Sequence, residues 1–424
     1  MLTQIITKAI RRYLVGSKQK FIFKPIDDIK LPSIEKINLY IHIPFCKNKC
    51  PYCPYNKIMY DKNLAELYLK AILTEIEQYY NRLGRIEITS IYIGGGTPTN
   101  IIDELGVILG KIREHFNITG NICIETTPSD LNEETVSKLV SYGINLVSLG
   151  VQSFNNKYLQ LIGRNYKASI LYPVIELLLS SNFKSINIDL MFALPGQTVE
   201  EVILDLKKAI SSGVNQITLY PLFTFPYSTA GKYLNLKRIK MPNIITRKNM
   251  YYAIHDFCID NGFKRVSVWG FIRDDVPRYS SVTRDNYIGF GAGAGSHIPG
   301  IFYLNTFSVK EYIKTCFNEK LPVASKIDFT DSMTRYYWLY WRFYDTYIPK
   351  RQLFELFGKK DKNIQLLLWL INTLKLSEED AENVFLSKRG AFWLHLIQNY
   401  FVLNYIDKIW SIAMKEPWPK EIKI

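Results

Sequence analysis

Residues 37–55 read "INLYIHIPFCKNKCPYCPY", an apolar run that ends at a proline and is followed at once by Cys46, Cys50 and Cys53. The β-branched and aromatic residues of 37–44 predict a strand, so the three thiols sit on the loop that leaves it. Six cysteines in 424 residues do not make a stapled secreted scaffold. No hydrophobic leader with a small-residue cleavage site opens the sequence, so a reducing, cytoplasmic setting is expected. There, clustered thiols read as metal ligands or redox groups rather than as bridges. Zinc closes its structural sites with four ligands, usually as two pairs, and no second pair follows. Cys123, Cys258 and Cys316 each stand alone and are expected to be small buried side chains. A 4Fe-4S cluster remains, held by three thiolates instead of its usual four, with one iron left open.

The rhythm of the loop's surroundings sets the fold. "INLYIHIP" (37–44), "ITSIYIGGG" (88–96), "NICIETTP" (121–128), "INLVSLGVQSF" (144–154), "SINIDLMFALPG" (185–196) and "NQITLYPLF" (215–223) are strand-like, and each is followed by a helical segment. The clearest helices are 63–80, 132–143 and 198–213, the last two ending in glycine as a C-cap requires. Six such units imply a parallel sheet covered on both faces. The fold class expected is α/β, a partial (β/α)6 TIM-like barrel with a helical C-terminal domain. The divisions are an arm at 1–37, a core at 38–230, an extension with the Gly-rich "YIGFGAGAGSHIPG" at 231–309, and an aromatic helical domain at 310–424.

A net charge of +14 suggests affinity for anions. The basic residues are dispersed, however, and runs such as "KRIK" (237–240) and "GKKDK" (358–362) are broken by other residue types, so nucleic acid is not the expected partner. No run of eighteen uncharged apolar residues occurs, which argues against a spanning helix. The aromatic segment 392–410 carries only Asp407 and Lys408 as charges. Packing over the barrel mouth is the plain reading for it, with contact to a flat substrate or a peripheral membrane contact as the others.

Ligands of such sheets bind where loops leave the carboxyl ends of strands. "GGGTPT" follows the second strand, Glu125 closes the third, Gln152 and Arg164 follow the fourth, and Asp189 lies on the fifth. For each polar group, structural hydrogen bonding is the competing reading. The spacing CxxxCxxC, with Tyr52 before the last cysteine, resembles the radical S-adenosylmethionine superfamily. Together "YIHIPFC", "IGGGTPT", "GVQSF", "GRNY", "NIDLMFALPGQT" and "YPLFTFP" resemble the oxygen-independent coproporphyrinogen III oxidase family, with its haem-chaperone and methyltransferase relatives, over residues 38–300.

The resemblance implies that Cys46, Cys50 and Cys53 hold a 4Fe-4S cluster whose open iron takes S-adenosylmethionine. It implies that Tyr40, Tyr52, Gly95, Gly96, Thr97, Glu125, Gln152, Arg164 and Asp189 contact one or two S-adenosylmethionine molecules, with two further contact positions at Phe223 and Gly295. His42 matches as a proton-transfer or orienting group, against the plainer reading of a structural histidine. The oxidase's CxC extension is missing, since Pro54 and Tyr55 follow Cys53, and the chaperones' HNxxYW stretch is replaced by "TRDNYIGFGAGAGS" (283–296). The expectation is therefore a radical enzyme, reduced by a flavodoxin or ferredoxin, that transfers a methyl or methylene group to an unsaturated or aromatic carbon of a small-molecule substrate. Tetrapyrrole oxidation and haem carriage are the alternatives.

Overall fold

The structure is a computed structural model that describes residues 21–26, 28–228, 230, 240–279 and 286–424. Residues 1–20 of the expected arm, 237–239 of "KRIK" and 283–285 of "TRDNYIGFGAGAGS" lie outside them. Strands β1 (Lys36–Ile43), β2 (Glu87–Gly95), β3 (Asn117–Thr126), β4 (Leu146–Gln152), β5 (Ser185–Phe192) and β6 (Gln216–Pro221) pair in that order, all parallel. Between them run α1 (Lys62–Leu83), α2 (Ile102–His115), α3 (Glu133–Ser141), α4 (Leu171–Leu179) and α5 (Val199–Ser211), and α6 (Ile244–Asp260) follows β6.

The helix boundaries follow from their caps. Asp61 accepts from Leu64 N, Asn132 accepts from Thr135 N, and Thr198 with Glu201 forms a reciprocal capping box. Gly143 and Gly213, just past α3 and α5, take φ of +74° and +94°, the left-handed geometry that stops a helix at low steric cost.

The sheet is larger than six strands. After β7 (Gly270–Ile272), antiparallel to β6, the Gly-rich run supplies β8 (Tyr287–Phe290), which lies parallel to β1 on its other side. The antiparallel strands β9 (Gly295–Ile298), β10 (Ile301–Asn305) and β11 (Val323–Asp328) extend it, and the short strand Lys264–Arg265 pairs antiparallel with β7 at the opposite edge, giving one open twelve-stranded sheet. Glycine propensity hides β8, but a Cβ on Gly289 would stand 2.2 Å from Gly295 O, so no side chain fits there. The sheet therefore continues past residue 310. Beyond that point the chain also forms α7 (Val309–Phe317), α8 (Asp331–Tyr344), a three-stranded sheet (Tyr347–Pro349, Asn383–Leu386, Ser377–Glu379), α9 (Lys388–Phe401) and α10 (Asp407–Ala413).

Both faces of the parallel strands are covered, but only one is apolar. Ile37, Leu39, Ile41 and Ile43 of β1 join Ala65, Tyr68, Ile72 and Ile76 of α1 in the core. The opposite face carries Asn38, Tyr40 and His42, then Tyr92, Glu125, Ser148, Asn187, Asp189 and Thr218 on successive strands, linked by hydrogen bonds. At the far edge, Ile22–Phe23 pairs with Ile422–Lys423 and Lys24 bridges to Lys326 of β11. Among the described residues no helix is long and apolar enough to cross a membrane.

Candidate functional site

The cysteine loop is pinned at both ends. Phe45–Cys46 pairs in parallel with Ile58–Met59, and Tyr60 N donates to Cys46 O at 3.0 Å. Within it Cys53 N donates to Cys50 O at 3.3 Å, and Lys57 Nζ donates to Cys53 O at 2.6 Å. All six cysteines are free thiols; Cys46 is buried, Cys50 and Cys53 are half-buried, and Cys123, Cys258 and Cys316 are buried as expected. Burial pushes the Cys46 thiol up to about 11, against a weaker pull down from Thr97 Oγ1 at 3.9 Å, so it becomes a thiolate only against a cation.

The glycines of "GGGTPT" stand where a side chain would collide with its surroundings. A Cβ on Gly96 would stand 2.6 Å from Phe45 O and 3.0 Å from Cys46 Sγ. On Gly95, at φ +115°, it would stand 2.7 Å from the His42 ring. Gly96 N and Thr97 N donate to Ile43 O and Phe45 O at 2.7 and 2.8 Å, which moors the end of β2 to the cysteine loop.

Beside it lies a polar floor. Glu125 accepts from the Tyr92 hydroxyl and from Gly95 N at 3.3 Å, and burial raises its carboxyl above the usual range. Because the Tyr92 proton goes to Glu125, the Tyr279 hydroxyl, 2.5 Å away, donates to Tyr92. Asp189 accepts from Ser148 Oγ and Asn187 Nδ2, both at 2.9 Å, and burial, then the Glu125 charge, pushes it up to about 7. Gln152, at φ +68°, accepts from the Tyr220 hydroxyl at 2.6 Å. Arg164 donates to the Tyr52 hydroxyl at 3.0 Å and to Thr127 Oγ1 at 3.4 Å, while its buried Nε has no partner among the described residues. These are donors and carboxylates suited to a ribose and an amino-acid moiety.

His42 Nε2 lies 2.9 Å from Asn56 O, which only accepts, so Nε2 carries the proton and Nδ1 accepts from the Tyr40 hydroxyl at 2.8 Å. Burial lowers this imidazole to about 4. It is a neutral ring with both nitrogens engaged, the geometry of an orienting group.

Phe223 and Gly295 meet aromatic and apolar neighbours. Phe223 packs against Trp269 with ring centroids 5.4 Å apart, and Gly295 lies on β9 facing Phe302 and Leu304. Between them Trp269, Tyr344, Trp341 and Tyr337 make successive edge-on contacts of 5.8, 5.5 and 5.9 Å. Over the mouth, Trp410 of α10 stacks on Phe225 at 5.9 Å and tilts against Tyr55 at 5.9 Å. The aromatic C-terminal segment thus packs over the loop. Tyr92, Tyr279, Tyr220 and Asn56 were not singled out in the sequence. Tyr92 of β2 lies beside Tyr40 of β1 in the parallel register, which puts the two on one face.

An open parallel sheet with a three-thiol loop at its first strand end is the architecture of a radical S-adenosylmethionine protein, and the model of the Radical SAM superfamily matches residues 40–209. Heme chaperone HemW of Lactococcus lactis subsp. lactis is 32% identical over 291 residues, covering 66% of this chain and 75% of its own. Anaerobilin synthase of Escherichia coli O157:H7 is 26% identical over 294 residues, covering 67% and 66%. The structure of coproporphyrinogen III oxidase (HemN) from Escherichia coli, described as a radical SAM enzyme, superposes with a TM-score of 0.75 at 20% identity, over 95% of this chain and 93% of that one. The chain belongs to the radical SAM superfamily, in the family of HemW and the oxygen-independent coproporphyrinogen III oxidase.

That family implies a 4Fe-4S cluster and S-adenosylmethionine. The thiols fit. Cys46, Cys50 and Cys53 are free thiols on one loop, the donor type that iron–sulfur clusters take, and among the described residues no three His, Cys, Asp or Glu are grouped to hold a single ion.

Proposed function

We propose that this protein is a radical S-adenosylmethionine enzyme that acts on a haem-type tetrapyrrole. The observation that carries the reading is the continuous aromatic wall from Phe223 through Trp269, Tyr344 and Trp341 to Tyr337, beside a polar floor built for a nucleoside. Such a wall suits a large planar ligand. Relatives named for heme and for coproporphyrinogen support the same class. Methyl or methylene transfer, the outcome expected from sequence, draws no support from the names of these relatives.

Cys46, Cys50 and Cys53 would hold the cluster, which with S-adenosylmethionine supplies a deoxyadenosyl radical when one electron arrives. The chain's own residues do the rest. Glu125 and Asp189 accept from the nucleoside's hydroxyls, and Arg164 through Tyr52 sets the wall of the cysteine loop. Tyr40 and His42 fix the floor beneath Gly95. Trp410, stacked on Phe225, covers part of the mouth and limits bulk water there, which protects a radical from quenching. One S-adenosylmethionine is the reading here, since Phe223 and Gly295 face aromatic and apolar neighbours. A flavodoxin- or ferredoxin-type protein is the electron donor proposed.

The test is anaerobic incubation of reconstituted protein with S-adenosylmethionine, dithionite and haem or coproporphyrinogen. Deoxyadenosine should rise with haem above the rate without it. A rate indifferent to both tetrapyrroles overturns the substrate class, and stable haem binding with no deoxyadenosine makes the protein a carrier. S-adenosylhomocysteine in equal amount would restore methyl transfer.

A further inference from the structure

Tyr279 reaches the polar floor from outside the parallel strands. It lies on the segment that leaves β7, is only 3% exposed, and has its backbone gripped by one buried side chain of β6. Gln216 Nε2 donates to Tyr279 O at 2.7 Å, and Tyr279 N donates to Gln216 Oε1 at 2.8 Å. Arg278, one residue earlier, reaches the other way: its Nη1 lies 3.0 Å from Oδ1 of Asp345, the residue that caps the C-terminal end of α8. Consecutive residues thus tie the segment to the aromatic helix and to the floor, which fixes where the Tyr279 ring can point.

Its hydroxyl heads a chain of donors. Tyr279 donates to the Tyr92 oxygen at 2.5 Å, Tyr92 donates to Glu125, and Glu125 also accepts from Gly95 N. A donor to the Tyr92 oxygen makes the Tyr92 O–H itself a stronger donor, so Tyr279 acts on Glu125 through Tyr92. Glu125 depends on such help. Burial works against its charged form, and hydrogen bonds from Tyr92, Gly95 N and Tyr279 work for it. The other titratable groups that face it are Tyr40, Tyr55 and Asp189, none of which carries a positive charge, and the Arg164 charge is felt at Asp189.

We propose that Tyr279 is a positioning residue that holds the Glu125 carboxylate as the acceptor for the ribose hydroxyls of S-adenosylmethionine. This deepens the nucleoside reading of the floor and rests on it. Tyr279 makes and breaks no bond: its proton stays on its own oxygen while the ribose hydroxyls donate to the carboxylate.

The experiment is calorimetric titration of the full, cluster-loaded chain with S-adenosylmethionine, without reductant, at pH 6 and at pH 8.5. Tyr279→Phe keeps the ring among Tyr92, Cys123 and Leu146 and removes only the hydroxyl. The Glu125 carboxyl then ionises less readily, so binding should weaken about fivefold at pH 6 and stay near wild type at pH 8.5, where the carboxyl is ionised in both proteins. In a Glu125→Gln background the same substitution should add nothing. Wild-type affinity of Tyr279→Phe at both pH values overturns the role, as does an equal loss at both, which is what disturbed packing alone would give. A further loss in the Glu125→Gln background overturns it too, since Tyr279 would then act on something else. In each of these cases the nucleoside contact of Glu125 stands. Wild-type affinity of Glu125→Gln itself overturns that contact, and the role of Tyr279 falls with it.

Discussion

The Tyr40 hydroxyl donates to His42 Nδ1 at 2.8 Å while His42 Nε2 donates to Asn56 O at 2.9 Å, so one imidazole ties the barrel floor to the residue that closes the cysteine loop. Asn56 continues the tie, since its side-chain amide donates to Ala292 O and Phe307 O at 3.0 and 2.9 Å. The first prediction follows. His42→Gln should raise the KM for S-adenosylmethionine by about tenfold, as expected for a lost charge-neutral positioning contact of about 1.4 kcal/mol. The pH profile of deoxyadenosine formation between 6 and 9 should keep its shape. A limb lost from that profile would make His42 a proton-transfer group instead.

Glu75 should make stability fall as pH rises. It is fully buried, accepts from Gly291 N, Tyr312 and Asn305 at 2.8, 2.6 and 2.7 Å, and burial pushes it from 4.5 up to about 7. A raised folded-state value means that its contribution is fully present below about 4.5 and is lost as pH climbs through 7. The full span is about 3 kcal/mol. Glu75→Gln should be less stable than wild type at pH 5, with the gap narrowing by pH 8 in urea unfolding. A gap constant across that range would contradict the assignment.

His42 runs the other way. Its lowered value, about 4, gives a contribution that is present above 6.5 and lost as pH falls toward 4. Acid unfolding of wild type should therefore steepen below pH 6.5, and His42→Gln should flatten that limb.

Gly96→Ala should cost the cluster before it costs the fold. The added methyl meets Phe45 O and Cys46 Sγ at 2.6 and 3.0 Å, and overpacking of this kind costs about 1–3 kcal/mol. Iron and sulfide content after reconstitution should drop severalfold while circular dichroism stays unchanged. Full cluster occupancy in the variant would show that the loop yields.

Trp410→Ala should open the mouth. The half-buried ring lies between Phe225 and Tyr55, so its loss should cost about 2 kcal/mol and shorten the cluster's lifetime in air severalfold. Bleaching at the wild-type rate would assign solvent exclusion elsewhere.

The six parallel strands were legible because their runs of Ile, Leu and Val are long and bounded by capped helices. The thiol loop was legible from spacing alone. β8 was not, because glycines selected for close backbone approach carry no strand propensity. The polar inner face was also hidden. Tyr40, Tyr92 and Asp189 alternate with aliphatic residues, and only the register shows that they share one side. Asn56 gave no signal, since its partners lie 236 and 251 residues away in sequence.

The pairing of Ile22–Phe23 with Ile422–Lys423 bears on assembly. α10, which carries Trp410, packs into the same cluster as Phe23 and Ile422, so that lid is clamped only when two segments about four hundred residues apart in sequence have met. During synthesis the thiols of the first loop would thus stay open to incoming iron and sulfide until Ile422–Lys423 has emerged to meet Ile22–Phe23. A cluster loaded before that pairing would meet no obstruction from Trp410.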